Sequence, residues 1–366
     1  MYHFDLHLWQ RKLSTGSPVI ILSAGLLLQA PCGAQSVTDR VQLQLNTQEA
    51  EAVLAILNKR ANVDSIEQSD WQRLFEAEPY IRLKSREAGR RRSFTDAEFQ
   101  RFVLSDSLMA GAPILERNLR DWKAADVTAA AARAIAYLPR EATIRAKLFP
   151  VIKPQTNSFV YELLIDPAIV LYLDPQLNAG QFENTVAHEL HHVGYASVAE
   201  RFSAAIADLP PSAHTAAEWI GAFGEGFAML AAVGGPDVHP HAVSPPEDRA
   251  RWDRDVAHFA RDLVRLDKFF RDIVDGSLAT ADTIQQVAMR CMGVQGPWYT
   301  VGWKMAVLIE KHFGRATLIS CMLDPRMLLS TYNSAAAREG VAGESLPPWS
   351  PQLLHSIGAR GAPFRP

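Results

Sequence analysis

The sequence predicts an α+β fold, mostly helical: a small mixed or antiparallel sheet packed on one chemistry-bearing helix, with a helical region before it. Three observations lead there. Across residues 36–138 the apolar side chains keep helical spacing. Residues 143–152, 158–165 and 168–173 are then short, β-branched or aromatic, and separated by Pro154, Asn157 and Pro167. The chain next returns to helical spacing through Val186-Ala187-His188-Glu189-Leu190-His191-His192-Val193-Gly194.

At 366 residues and 48% hydrophobic, the chain can form one large or two modest cores. A formal charge of −3 gives no footprint for nucleic acid or anionic lipid. The basic cluster at 84–92 has no interleaved aromatic residues and reads as a solvated helix end. Residues 1–34 read as an export signal. Arg11 and Lys12 precede an apolar run at 18–28, and small residues at Cys32 and Ala34 suit cleavage after Ala34. That run is too short to span a membrane. The mature chain is therefore expected in the periplasm or outside the cell, with no stable membrane insertion. Pro31 disfavours a lipid anchor on Cys32. Cys291 and Cys321 remain, either as a disulfide or as two buried thiols.

Taken in order, Thr47 caps a helix running to Lys59, with Ala52, Val53, Leu54, Ile56 and Leu57 on its buried side. Ser93-Phe94-Thr95-Asp96 caps another. The alanine-rich run at 124–137 is a strong helix former. Residues 35–140 hold no cluster of ligand-type side chains and read as a scaffold or substrate-side wall. Residues 141–335 form the chemistry-bearing part, and 336–366, rich in glycine and proline, an extended tail.

The motif helix is expected from about Gly180 to Gly194. Phe182, Val186, Leu190 and Val193 share one stripe, while His188 and His192 lie on the other side, one turn apart, leaning toward a single point. That geometry suits two ligands of one tetrahedral zinc and leaves Glu189 as a general base toward water. His191 falls outside the pair and reads as a neighbour. Tyr195 and Val198 stand where a glycine and a third histidine would continue the motif, so the third ligand must come from elsewhere. The helix at 215–232 offers Glu225 or, two turns earlier on the same face, Glu218. Glycine inside a helix costs about 1 kcal/mol relative to alanine. Gly224 and Gly226, on either side of Glu225, therefore predict a close approach of two helix backbones.

His239 and His241 lie in a proline-rich loop and read as exposed. Helices follow at 249–274, at 280–292 and, after Gly296-Pro297-Trp298-Tyr299, on to about His312. Tyr299 reads either as a donor to a developing oxyanion or as a buried packing tyrosine. His258 and His312 are lesser alternatives for the donor.

His188-Glu189-Leu190-His191-His192 followed by Glu225-Gly226-Phe227-Ala228 resembles gluzincin-type metallopeptidases. It is most similar to an uncharacterised bacterial group of proposed zinc-dependent peptidases with a later Tyr-x-x-Gly-x-x-Met-Ala segment, here Tyr299 to Ala306. The resemblance covers roughly residues 140–315. It implies a zincin-like fold, one zinc ion on His188, His192 and Glu225, an edge strand at 168–173 above the cleft, and a peptide or protein substrate. Many gluzincins carry an acidic residue four positions after the ligand glutamate; Met229 stands there, which leaves the partner of a ligand histidine unidentified. The expected activity is an exported zinc metallopeptidase. A zinc-stabilised binding or folding protein without turnover, and a zinc hydrolase of non-peptide amides, remain open.

Overall fold

The computed structural model describes residues 37–90, 92, 94–342 and 346–359. Residues 1–34, read from the sequence as an export signal, and parts of 336–366, read as a tail, lie outside these residues. A short turn α1 (Val37–Arg40) leads into β1 (Val41–Leu45), followed by α2 (Gln48–Ala61), α3 (Gln68–Phe75), α4 (Glu78–Gly89), α5 (Asp96–Val103), α6 (Asp106–Ala124) and α7 (Val127–Ile135). β1 departs from the helical reading of this region. Its Val-Gln-Leu-Gln-Leu alternates with period two, and its partner lies about a hundred residues on, so no local pattern announced the pairing. The cap read at Ser93–Asp96 is made by Thr95, whose hydroxyl accepts the Glu98 N–H in a capping box.

The sheet is completed by β2 (Ile144–Val151), β3 (Phe159–Tyr161) and β4 (Ala168–Tyr172), in the order β1-β2-β4-β3. β1 and β4 run parallel to β2, and β3 runs antiparallel to β4. The sheet is therefore mixed. β4 is an interior strand, which corrects the edge position expected for 168–173: β3 covers it. β3 is itself shorter than residues 158–165 because Glu162 turns at φ +53 and ends the pairing. Alternate residues of β2 and β4 face two cores. Phe149, Val151, Ala168 and Val170 meet Leu83 of α4, while Ile144, Leu148, Ile169 and Leu171 join the main core.

The motif helix α8 (Ala179–Ala196) follows β4 and starts at Asn178, whose side chain forms a capping box with Gln181. Beyond α9 (Ala199–Ile206), the helix expected at 215–232 is two helices, α10 (Pro211–Ile220) and α11 (Gly224–Val233), joined by a 3-10 turn at Gly221–Phe223. The helix expected at 249–274 is likewise α12 (Pro246–Val256) and α13 (Phe259–Val274). α14 (Ala281–Met289), α15 (Pro297–Phe313), α16 (Arg315–Leu323), α17 (Pro325–Ala342) and α18 (Pro351–Ser356) complete the chain.

α8 is held between α7 and α11, and α11 packs on α15. Phe182, Val186, Leu190 and Val193 are buried as their stripe predicts. One hydrophobic cluster runs from Ala50 to Ile357, so residues 35–140 share their core and their sheet with 141–335. The described part of 336–366 is no extended tail. α17 continues to Ala342, and Trp349, Leu353 and Ile357 are fully buried, because these apolar side chains find a slot beside α13 and α15.

Candidate metal centre

His188 and His192 project from α8 toward Glu225, in the first turn of α11. His188 Nε2 and His192 Nε2 are 3.1 Å apart, and Glu225 Oε2 lies 3.2 Å from the first and 3.4 Å from the second. All three side chains are buried. Donors about 2.0–2.1 Å from a tetrahedral zinc sit roughly 3.3 Å from one another, so this triangle has the right size for that ion. Its chemistry also fits: two imidazoles and a carboxylate, buried together. Among the described residues, Glu225 Oε1 and His188 Nδ1 are buried without a hydrogen-bond partner.

The backbone places Glu225 here. A Cβ on Gly226 would come within 2.1 Å of Trp303 N and 2.4 Å of the Gly302 carbonyl carbon, and one on Gly302 within 2.6 Å of Phe223 O. α11 and α15 therefore touch backbone to backbone at two glycines. The expected close approach exists, but toward α15 rather than α8, and only Gly226 requires it. A Cβ on Gly224 would meet nothing within 4 Å. Glu218, the alternative ligand, is elsewhere, 3.7 Å from His214 Nδ1.

Glu189 is buried beside the triangle. Burial raises its pKa against the pull of His188 and His192, and Glu225 adds to the rise. Burial works the same way on Glu225, but His192 and His188 outweigh it and hold that carboxyl well below the usual range. At His192 burial favours the neutral ring, yet the Glu225 carboxylate prevails and raises its pKa. His191 is not one of the three donors; burial, with the two neighbouring histidines, pushes its pKa down to about 3. Tyr299 lies along the His188 ring, 6.2 Å between centroids at 14°. Burial first, then the Glu225 charge, raises its pKa well above the ordinary tyrosine value.

The centre opens into a cleft of about 270 Å³ lined by Thr185, His188 and Glu189 of α8, Met229, Tyr299, Gln295, and His241, Ser244 and Pro245 of the strap 241–245. His241 is 7% exposed and hydrogen-bonded to Ser244 and Gln295, contrary to the expectation of an exposed loop histidine. Prolines 240, 245 and 246 stiffen the two ends of the strap, and Asn178 Nδ2 donates to Val243 O. His239 pairs with Asp253, and His312 with Glu339 far along α15. Gln295 drew no attention in the sequence; Gly293 and Gly296 around it were the available signal. Cys291 and Cys321 are both free and buried. Burial pushes the Cys321 thiol up to about 11.

A sequence family described as "Putative zinc dependent peptidase (DUF5700)" matches residues 71–340. The chain belongs to this family. The match contains the motif helix, Glu225 and Tyr299, and it extends well beyond the stretch where the resemblance was legible. The family is named for zinc dependence, and the buried His188, His192 and Glu225 form a group able to hold a metal ion. No curated protein and no solved structure matches the chain.

Proposed function

We propose that the protein is an exported zinc metallopeptidase with a zincin-like catalytic arrangement. His188, His192 and Glu225 would hold one zinc ion, and Glu189 would act as general base. The observation that carries this is the buried triangle of three donors 3.1–3.4 Å apart, with Glu189 beside it at the floor of an open cleft. Zinc, when bound, supplies a Lewis acid that activates water and polarises a peptide carbonyl.

The chain's own residues do the rest. Glu189 takes the proton of the attacking water and returns it to the leaving amine. Tyr299, with its pKa raised well above the ordinary value, keeps an O–H to donate. Lying along the His188 ring and near the Glu225 charge, it is placed to orient those donors, and the oxyanion role read from the sequence is the alternative that a Tyr299→Phe variant separates. The leader ending at Ala34 supports export.

The test is metal analysis joined to turnover of quenched peptide libraries. Wild type and Glu218→Ala should hold one zinc per chain, and Glu225→Ala should lose it. Glu189→Gln should keep zinc and lose about 10²- to 10⁴-fold in kcat. Zinc retained by Glu225→Ala but not by Glu218→Ala overturns the ligand set. A zinc-loaded wild type that cleaves no peptide overturns the peptidase reading.

A further inference from the structure

Gln295 sits in the turn between α14 and α15 with its backbone at φ +60. A residue with a Cβ holds that conformation only where its surroundings enforce it, and such positions cluster at binding and catalytic sites. Gly296 next to it is required, since a Cβ there would lie 2.7 Å from Cys291 O. The Gln295 side chain is fixed at its oxygen. His241 Nε2 donates to Gln295 Oε1 over 2.8 Å, and the Ser244 hydroxyl, 3.1 Å from His241 Nδ1, donates to that nitrogen. The two bonds together set the His241 tautomer.

The amide nitrogen is left over. Its acceptor among the described residues is Met229 Sδ at 3.8 Å, a long contact to a weak acceptor. The half-buried amide lines the same cleft as His188, Glu189 and Tyr299.

We infer that the Gln295 amide donates a hydrogen bond to a backbone carbonyl of the bound peptide, and that His241 is the positioning residue that orients it. This rests on the peptidase reading above. A substrate oxygen would replace the thioether as acceptor, a gain of one neutral hydrogen bond, about three- to tenfold in affinity.

The experiment is calorimetric titration of the zinc-loaded protein with two probes. Acetohydroxamic acid reaches only the metal. Acetyl-leucyl hydroxamate adds a peptide carbonyl and a side chain suited to the apolar wall of Leu177, Met229 and Ala232. Gln295→Leu and His241→Leu should bind the leucyl probe about three- to tenfold more weakly and acetohydroxamate as wild type does. His241→Gln, whose amide can still donate to Gln295 Oε1, should restore the wild-type affinity. If Gln295→Leu fails to fold or to hold zinc, Gln295→Glu carries the test, because it keeps the shape and removes the donor. Equal affinity of wild type and Gln295 variant for the leucyl probe overturns the inference. So does a wild type that binds both probes equally tightly, with the metal site intact. A wild type that binds neither removes the metal-site reading and this inference with it.

Discussion

The Tyr299 ring lies along that of His188, and Tyr299 is near enough to Glu225 for that carboxylate to raise its pKa. Groups that orient metal ligands typically account for 10- to 100-fold in metal affinity. Tyr299→Phe is therefore expected to weaken zinc retention about 10- to 100-fold in a chelator competition, with little change in kcat at saturating zinc. The opposite split, kcat down about a hundredfold and affinity intact, would restore the oxyanion role. A second residue, remote from the cleft, sets a pH dependence. Glu49 of α2 is fully buried; its Oε2 accepts the Ile152 N–H at 2.9 Å, and its Oε1 has no partner among the described residues. Burial pushes its pKa from 4.5 up to about 8, against that hydrogen bond and the nearby Lys153. With the folded pKa raised, its contribution to stability is fully present below the unfolded pKa. It is lost by roughly 1.4 kcal/mol per pH unit as pH rises toward the folded pKa. Lys153, pushed down to about 7 by burial and Arg86, acts with the opposite sign above neutrality. Glu49→Gln keeps the acceptor without the charge. It should raise the unfolding midpoint at pH 8 and leave it near wild type at pH 4; an equal shift at both values would sink the assignment.

α11 and α15 meet where neither helix has a side chain, and Glu225 can reach the histidines because Gly226 and Gly302 let the two backbones touch. Gly226→Ala would drive a methyl group into the backbone of α15, which cannot yield as a flexible side chain can. The expected cost is above about 3 kcal/mol, at the upper end of overpacking penalties. Gly224→Ala meets open space and gains helix propensity, so it should be neutral or stabilising by up to about 1 kcal/mol. Thermal unfolding of the pair checks this, and similar losses from both would remove the close-approach argument. The glycines on either side of Glu225 were legible as a signal, while their separate roles were not, because a sequence does not say which neighbouring backbone comes close. The same limit hid β1, five residues whose pairing partner is remote. It also hid the breaks at 221–223 and 257–258, where apolar spacing runs on through a 3-10 turn and a two-residue turn.

Over the whole chain, what lay within one helix could be read and what lay between loops could not. His188, Glu189 and His192 follow from one turn of helix, and Glu225 from the next acidic face. The contact of His241 with Gln295 joins two loops, and no period marks it. The segment beyond α17 hides its role for a related reason: its glycines and prolines suggest a tail, while its few large apolar residues do the packing. Trp349 is fully buried, with its indole N–H on Met305 Sδ at 3.3 Å, its backbone N–H on Asn333 Oδ1 at 2.8 Å and its ring against Phe223 and Phe270. Phe223 is the residue whose backbone abuts Gly302, one step before the helix that carries Glu225. The segment therefore presses on the far side of the contact that aims the third metal donor. Trp349→Ala should cost about 3–5 kcal/mol, as large-to-small changes at buried aromatic residues do. Removal of residues 343–366 should cost more, since Leu353 and Ile357 also leave the core. Both changes should weaken zinc retention although they touch no ligand, because a loosened Phe223 frees the start of α11. Unfolding midpoints and chelator competition on the two variants decide it: wild-type values in both measurements would mean that the segment merely covers the core and leaves Glu225 aimed without it.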